Sequence, residues 1–304
     1  MYKENNIRPY VIFFSPCDNN CIFCSLKSQQ NADHKSFKEL KIQIDQIVNF
    51  LILNNKHLDN IFLIDGEPTL NDCFLDIVKY AASLGFKQIY LDTNGQKFSD
   101  ENFCRLAIES GLTDINMPIY GHNALIHDSI TRKKFSFLRF IKAIKNLKHF
   151  DVALHLHTLI LKQNYKDLPQ MARLIKSYNL PCSFNFFLPD EKEKLPELIP
   201  SYSQILPYLL KARFILNNNF KYKEIPECVL GNKKVIPEKD KSFKFIINSN
   251  KPAFYKGLDY ASERQAKIKL FSCEKCSSFN NCEGVLKRYV EFFGINEFKP
   301  ITNI

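Results

Sequence analysis

The 304-residue chain has no apolar run long enough to cross a bilayer. Its first residues, Met1-Tyr2-Lys3-Glu4-Asn5-Asn6, lack the apolar stretch of a secretory signal. These absences argue against a helical membrane protein and against export. They predict a cytoplasmic location with no membrane partner. There is also no arginine-rich stretch with interleaved aromatics of the kind that reads nucleic acid. Lysine far outnumbers arginine, so the net charge of +10 is read as a solvated lysine surface rather than a nucleic-acid face. No internal repeat and no low-complexity segment occurs. With 45% hydrophobic and 24% charged residues, the composition is that of an ordinary soluble globular protein, with one large domain or two smaller ones.

What stands out instead is cysteine. Ten cysteines in a reducing compartment are metal ligands more readily than disulfides. Three of them fall in Cys17-Asp18-Asn19-Asn20-Cys21-Ile22-Phe23-Cys24, with C-x3-C-x2-C spacing. The apolar run Tyr10-Val11-Ile12-Phe13-Phe14 just before them reads as a buried strand that delivers three thiolates into one loop. Structural zinc takes four ligands, and an all-cysteine iron–sulfur cube takes four thiolates. Three thiolates with no local fourth leave one iron open to a small molecule. Phe23 is placed to shield such a cluster or to pack on its ligand. A zinc knuckle remains the alternative reading of the loop taken alone.

Downstream the chain alternates strand and helix. Phe37 to Asn54 is helical by period, with Leu40, Ile44, Ile47, Val48 and Leu51 on one face. Asn60–Ile64 reads as a strand ending at Asp65-Gly66-Glu67-Pro68-Thr69, and Gln88–Leu91 as a strand ending at Thr93-Asn94-Gly95. Thr113–Ile119 is a strand ending at Tyr120-Gly121-His122. Strands Val152–Leu161 and Ser183–Leu188 follow, separated by a helix over Tyr165–Tyr178. Further helices are read at Asn71–Leu84, Ser99–Gly111, Phe137–Phe150 and Ser201–Asn218. Some six such units predict an α/β fold with parallel strands and crossover helices. The distinctive polar turns all sit at carboxyl ends of strands, where chemistry collects in such folds. After Phe220 the alternation is lost. Cys73, Cys104 and Cys182 fall on apolar faces and are read as core.

On these residues the chain resembles the radical S-adenosylmethionine (radical SAM) superfamily. The cysteine loop is similar to that family's cluster loop, whose open iron is chelated by the amino and carboxylate groups of SAM. The resemblance implies a partial (β/α)6 barrel and reductive cleavage of SAM to a 5′-deoxyadenosyl radical that abstracts hydrogen from substrate. Gly66-Glu67-Pro68 resembles the Gly-Gly-Glu-Pro motif, with Glu67 expected to meet the SAM ammonium. Asp65 departs from it by replacing the first glycine. Thr69 closes that turn. Thr93-Asn94-Gly95 resembles the Thr-Asn-Gly turn, which implies a SAM-supporting Asn94. Asn164, at the end of the fifth strand, is a further SAM-side candidate. Pro118 stands where peptide-modifying relatives carry a serine that contacts SAM. Tyr120, His122 and Asp128 are the candidates on the substrate side, each with a structural role as the alternative.

The tail carries Cys273-Glu274-Lys275-Cys276, then Cys282, with Cys228 upstream after Pro226. It resembles the twitch form of the SPASM extension, which holds one auxiliary [4Fe–4S] cluster. No cysteine follows Cys282, so the second auxiliary cluster of a full SPASM domain lacks its cysteine ligands. A four-cysteine zinc site is the alternative. The implied organisation is a barrel over residues 1–218 and a small cysteine-rich twitch-type domain over 219–304. The implied cofactors are two [4Fe–4S] clusters and SAM, with flavodoxin or ferredoxin as electron donor. Relatives modify ribosomally made peptides, which is the substrate class expected here, or small molecules such as sugar alcohols and cofactor precursors. With few residues before the first strand, a peptide substrate is expected to need a separate leader-recognition protein or to bind directly. The reading from a different class is a zinc-binding interaction protein.

Overall fold

The computed structural model describes residues 7–24, 34–189, 191–230, 243–248, 251–256 and 266–302. The first six residues, on which the reading of the amino terminus rests, lie outside them. The chain has an α/β fold built on parallel strands with crossover helices. It divides into two compact units.

The first unit comprises residues 1–118, 123–156 and 240–260. Strand β1 (Ile7–Ile12) leads into the cysteine loop. Helix α1 (Phe37–Leu53) begins at a capping box in which Ser36 and Glu39 satisfy each other's backbone N–H groups. Its buried face is Leu40, Gln43, Ile44, Ile47 and Leu51. Gln43 is buried because its amide both accepts from Ile12 N (3.0 Å) and donates to Ile12 O (3.1 Å). Val48, expected on that face, is only half-buried. Then come β2 (Asn60–Ile64), α2 (Phe74–Ser83), β3 (Gln88–Asp92), α3 (Glu101–Glu109) and β4 (Asp114–Pro118). Strands β1 to β4 are neighbours in parallel register. Both sheet faces are apolar, as parallel sheets require. Val11, Ile61, Leu63, Ile89 and Leu91 are fully buried on one face. On the other, the registered residues Tyr10, Phe62 and Tyr90 form an aromatic row, with the Phe62 and Tyr90 rings stacked at 4.5 Å.

Helix α4 (Ala124–Thr131) was not anticipated. Asn123 caps it by accepting from Ile126 N at 3.1 Å, and Arg132 ends it at φ 52°. Helix α5 (Ser136–Leu147) follows, and β5 (Ala153–Ile160) runs from the first unit into the second.

The second unit continues with α6 (Leu168–Tyr178), β6 (Cys182–Phe186), the short α7 (Leu195–Leu198) and α8 (Tyr202–Leu216). Pro207 lies inside α8, and the carbonyl it leaves unbonded belongs to exposed Ser203. The alternation does not stop at Phe220. Strand β7 (Phe220–Lys223) pairs in parallel with β6, Cys182 opposite Phe220. Helix α9 (Glu227–Leu230) carries Cys228. Strands β8 (Phe243–Asn248) and β9 (Lys251–Lys256) form a hairpin in the first unit, with β8 parallel to β1. The tail ends with the antiparallel pair β10 (Lys267–Ile268) and β11 (Val285–Leu286), followed by α10 (Lys287–Phe293). No helix among the described residues is long and apolar enough to cross a membrane.

His127 of α4 packs between the rings of Phe137 and Phe140 of α5, at 5.7 and 5.5 Å. Burial pushes its pKa down to about 4, against the opposing pull of Asp128. The unfolded imidazole therefore takes up a proton that the folded one refuses. Its stabilising contribution is complete above pH ~6.5 and is lost as pH falls from there toward 4. Denaturant unfolding should show about 1 kcal/mol less stability at about pH 5.5 than at about pH 7.5 from this group. His127→Phe should remove that part of the slope.

Candidate active site and cysteine centres

The first centre is built by three turns at the carboxyl ends of β1, β2 and β3. The chain leaves β1 through Phe14 at φ 50° and leaves β2 through Asp65 at φ 84° and Gly66 at φ 65°. A Cβ on Gly66 would lie 1.7 Å from the Ser15 carbonyl oxygen, so only glycine fits against the cysteine loop there. Asp65 takes a backbone conformation that favours glycine. Its carboxylate is held by the N–H groups of Gly66 and Phe14 with Lys35 nearby, while burial pushes its pKa up. It braces the end of β1.

Glu67 is 1% exposed. Its Oε1 accepts from Thr69 N (3.2 Å), Thr69 Oγ1 (2.6 Å) and Thr93 Oγ1 (2.6 Å), and its Oε2 accepts from Asn94 N (2.6 Å). Both oxygens are committed to protein donors, and the carboxylate ties the turn after β2 to the turn after β3. Burial pushes its pKa up, and the hydroxyl and N–H donors oppose that. Pro68 and Thr69 open the short turn that supplies two of those donors.

The turn after β3 also reaches the cysteine loop. Asn94 Nδ2 donates to Asp18 Oδ1 at 2.6 Å and lies 3.7 Å from Cys17 Sγ. Two residues on, Gln96 Nε2 donates to Asn19 Oδ1 at 2.6 Å, and its Oε1 accepts from Arg139 Nε at 2.5 Å. Gly95, at φ 80°, permits this geometry. From the other side, Asn20 N and Ile22 N donate to the carbonyls of Thr131 and Ile130 (2.9 and 3.0 Å), groups that a helix end leaves free. Asp18, Asn19, Gln96 and Arg139 were not singled out from the sequence. Only their nearness to the cysteine and Thr-Asn-Gly turns hinted at them.

Cys17, Cys21 and Cys24 are half-buried and free of disulfides. Phe23 lies half-buried between the last two. Burial and then Glu67 push the Cys17 thiol up to about 12, against the Asn19 N–H and the Asn94 amide. A buried thiol of that kind needs a cation to hold it as a thiolate, which an iron–sulfur cluster supplies. The donor set therefore fits a three-cysteine cluster.

Asp128, a substrate-side candidate, is engaged at the start of α5. Its Oδ1 accepts from Ser136 Oγ and Phe137 N and its Oδ2 from Phe135 N, all within 2.8 Å, so it caps α5. In the second unit lies Asn164, the further SAM-side candidate. Its Oδ1 accepts from Leu161 N (2.8 Å) and its Nδ2 donates to Leu159 O (2.9 Å), which spends the amide on the end of β5. Tyr120 is buried. His122 is partly exposed, with Nδ1 2.5 Å from Asp167 Oδ1, and its own N donates to Asp167 Oδ2 at 3.0 Å. Asp167 was missed because it sits within a stretch read as plain helix.

The second cysteine set lies wholly in the second unit. Cys228, Cys273, Cys276 and Cys282 line one pocket with Glu227, Phe279 and Ile301. Gly284 N donates to Cys282 Sγ at 3.3 Å and Ile301 N to Cys276 Sγ at 3.4 Å, the environment thiolate ligands use. Burial pushes Cys228 up to about 12, with Cys282, Cys273 and Cys276 adding to it. The four cysteines thus share the lining of one pocket. Among the described residues, no three His, Cys, Asp or Glu form a group placed to hold a single metal ion.

Comparison with known proteins gives a consistent picture. The chain is 23% identical over 239 residues to the tungsten-containing aldehyde ferredoxin oxidoreductase cofactor-modifying protein of Pyrococcus furiosus, covering 74% of this chain and 64% of that one. It is 26% identical over 130 residues to a probable GTP 3′,8-cyclase of Saccharolobus islandicus, covering 43% and 40%. The chain thus spans less than two-thirds of the length of these relatives. In fold it is similar to native anSMEcpe with bound AdoMet (TM-score 0.67, 15% identity, 93% of this chain and 89% of that one). It is also similar to Streptococcus suis SuiB bound to S-adenosylmethionine (TM-score 0.64, 16% identity, 97% and 76%). The model of the Radical SAM superfamily matches residues 11–175, more than half of the chain.

The site predicts the behaviour of Glu67. Glu67→Ala leaves the N–H groups of Thr69 and Asn94 buried without an acceptor. It should lower unfolding stability by about 2–4 kcal/mol with or without SAM. A variant with wild-type unfolding but weakened SAM affinity would instead return Glu67 to the ligand.

Proposed function

The chain belongs to the Radical SAM superfamily, and from that premise we propose that Cys17, Cys21 and Cys24 hold the SAM-binding [4Fe–4S] cluster of a peptide-modifying enzyme. The observation that carries the assignment is the single network joining the three-cysteine loop to the turns after β2 and β3 through Glu67, Asn94 and Gln96. When bound, cluster and SAM supply the hydrogen-abstracting 5′-deoxyadenosyl radical. The chain's own residues hold the geometry. Glu67 locks two turns, Asn94 and Gln96 fix the cysteine loop, and Phe23 screens it from water. His122, whose backbone N donates to Asp167 Oδ2 and whose ring lies beside that carboxylate, is the candidate in the second unit for accepting or returning a proton.

In this reading residues 1–218 carry the SAM cluster. Residues 219–304 carry one auxiliary [4Fe–4S] cluster on Cys228, Cys273, Cys276 and Cys282, as a twitch-type domain would. A small electron-transfer protein such as flavodoxin or ferredoxin reduces the enzyme in the cytoplasm, and a separate leader-binding protein presents the peptide. The resemblance of the tail to twitch domains supports the peptide reading. A second reading, a small-molecule substrate, is favoured by the cofactor-modifying relative matched over 74% of this chain.

Anaerobically reconstituted and reduced protein should release 5′-deoxyadenosine from SAM. Replacing Cys17, Cys21 and Cys24 together with alanine should abolish that release while the tail metal stays. Equal release by the triple variant overturns the ligand assignment.

Cys228→Ala should keep the SAM-responsive cluster and lose or destabilise the second one, measured as iron, sulfide and EPR signal per chain. Full iron content with an unchanged auxiliary signal would mean that Cys228 is only packed. Zinc in the tail would make that centre structural.

A further inference from the structure

We infer that Asn94 raises the reduction potential of the cluster held by Cys17, Cys21 and Cys24, through its side-chain amide set between Cys17 Sγ and the Asp18 carboxylate. The inference rests on the cysteine assignment proposed above. It gives Asn94 a positioning and electrostatic part in place of the SAM contact that its motif suggested.

The orientation of the amide is fixed by its partners. Asn94 Oδ1 accepts from Gln96 N at 2.9 Å, and a backbone N–H can only donate, so that atom is the oxygen. Nδ2 therefore faces the cysteine loop, where its two hydrogens can serve Asp18 Oδ1 at 2.6 Å and Cys17 Sγ at 3.7 Å. The main chain is pinned as well, with Asn94 N on the buried Glu67 carboxylate at 2.6 Å. Gln96 is itself held between Asn19 and Arg139, so this turn cannot swing away from the loop alone.

Hydrogen bonds to ligand sulfur and the local net charge both set an iron–sulfur potential. A donor to Cys17 Sγ draws charge off the sulfur and favours the reduced cluster. The Asp18 carboxylate, one residue from the ligand, does the opposite, and the amide hydrogen on Asp18 Oδ1 offsets part of its charge. Both contacts of one nitrogen act in the same direction. Removing Asn94 should make the cluster harder to reduce, and removing the Asp18 charge should make it easier.

The test is an anaerobic potentiometric titration of the reconstituted full chain without SAM, read by EPR. The signal followed is the one that later changes on adding SAM. In Asn94→Ala the ratio of reduced to oxidised cluster at a fixed potential should fall about tenfold, equivalent to a downward shift of about 59 mV for one electron. In Asp18→Asn the ratio should rise. Wild-type titration curves in both variants overturn the inference, as does a rise in Asn94→Ala. If Asn94→Ala fails to load its cluster, Asp18→Asn decides: a potential at or below wild type overturns the inference, and a higher one supports it. A wild-type chain with no SAM-responsive signal overturns the cysteine assignment first, and the inference with it.

Discussion

Everything at the first centre depends on one buried carboxylate. Glu67 gathers two hydroxyls and two backbone N–H groups from two different turns. The N–H donors cannot reverse, so the ionised form is the one they suit. Hydrogen bonds to a charge are stronger than neutral ones, and losing the acceptor strands the donors in the interior. The tie fixes the spacing of β2 and β3 at their carboxyl ends. The Asn94 and Gln96 amides then carry that spacing onward to Asp18 and Asn19. The cysteine loop is thus positioned less by its own short sequence than by polar atoms from the turn after β3.

Strain collects at the same place. Phe14, Asp65 and Gly66 all take positive φ within the two turns that flank the loop. A non-glycine residue in that region costs of order 1–3 kcal/mol and persists only where its surroundings over-determine it. Here they do. The Gly66 backbone is pressed against the Ser15 carbonyl, and Asp65 recovers part of its cost through the N–H groups of Phe14 and Gly66. Close approach of the two turns brings Glu67 inside the protein, and burial makes its hydrogen bonds matter.

Much of this was legible in the residues. The C-x3-C-x2-C loop, the Gly66-Glu67-Pro68 turn and the Thr93-Asn94-Gly95 turn were located correctly at strand ends, because apolar runs and turn formers mark those boundaries locally. The direction of each side chain was not legible. Glu67 and Asn164 were singled out at strand ends and Asp128 beyond one, but the protein donors and acceptors around each were not visible. Those partners depend on which N–H groups are left over when helices and turns end, which no spacing reveals. Helix α4 was hidden by its shortness and by polar His127, Asp128 and Ser129. Strand β7 was hidden because four residues with lysine at alternate positions do not resemble a buried parallel strand. The hairpin at β8 and β9 pairs with β1 across more than two hundred residues of sequence, a contact local pattern does not contain.

The charges around the cysteine loop bear on what it can bind. Asp18, Asp65 and Glu67 bring three carboxyl groups to these turns, and Lys35 is the ammonium that faces Asp65. Excess negative charge opposes adding an electron to a cluster, because the added charge is repelled in a medium of low dielectric. It attracts a cationic ligand for the same reason. Free SAM carries a sulfonium and an ammonium against one carboxylate, so such a field attracts it. Asn94 moderates the nearest of those charges, Asp18, without removing it. A lysine in its place would cancel more of that charge, whereas a neutral donor leaves most of it standing.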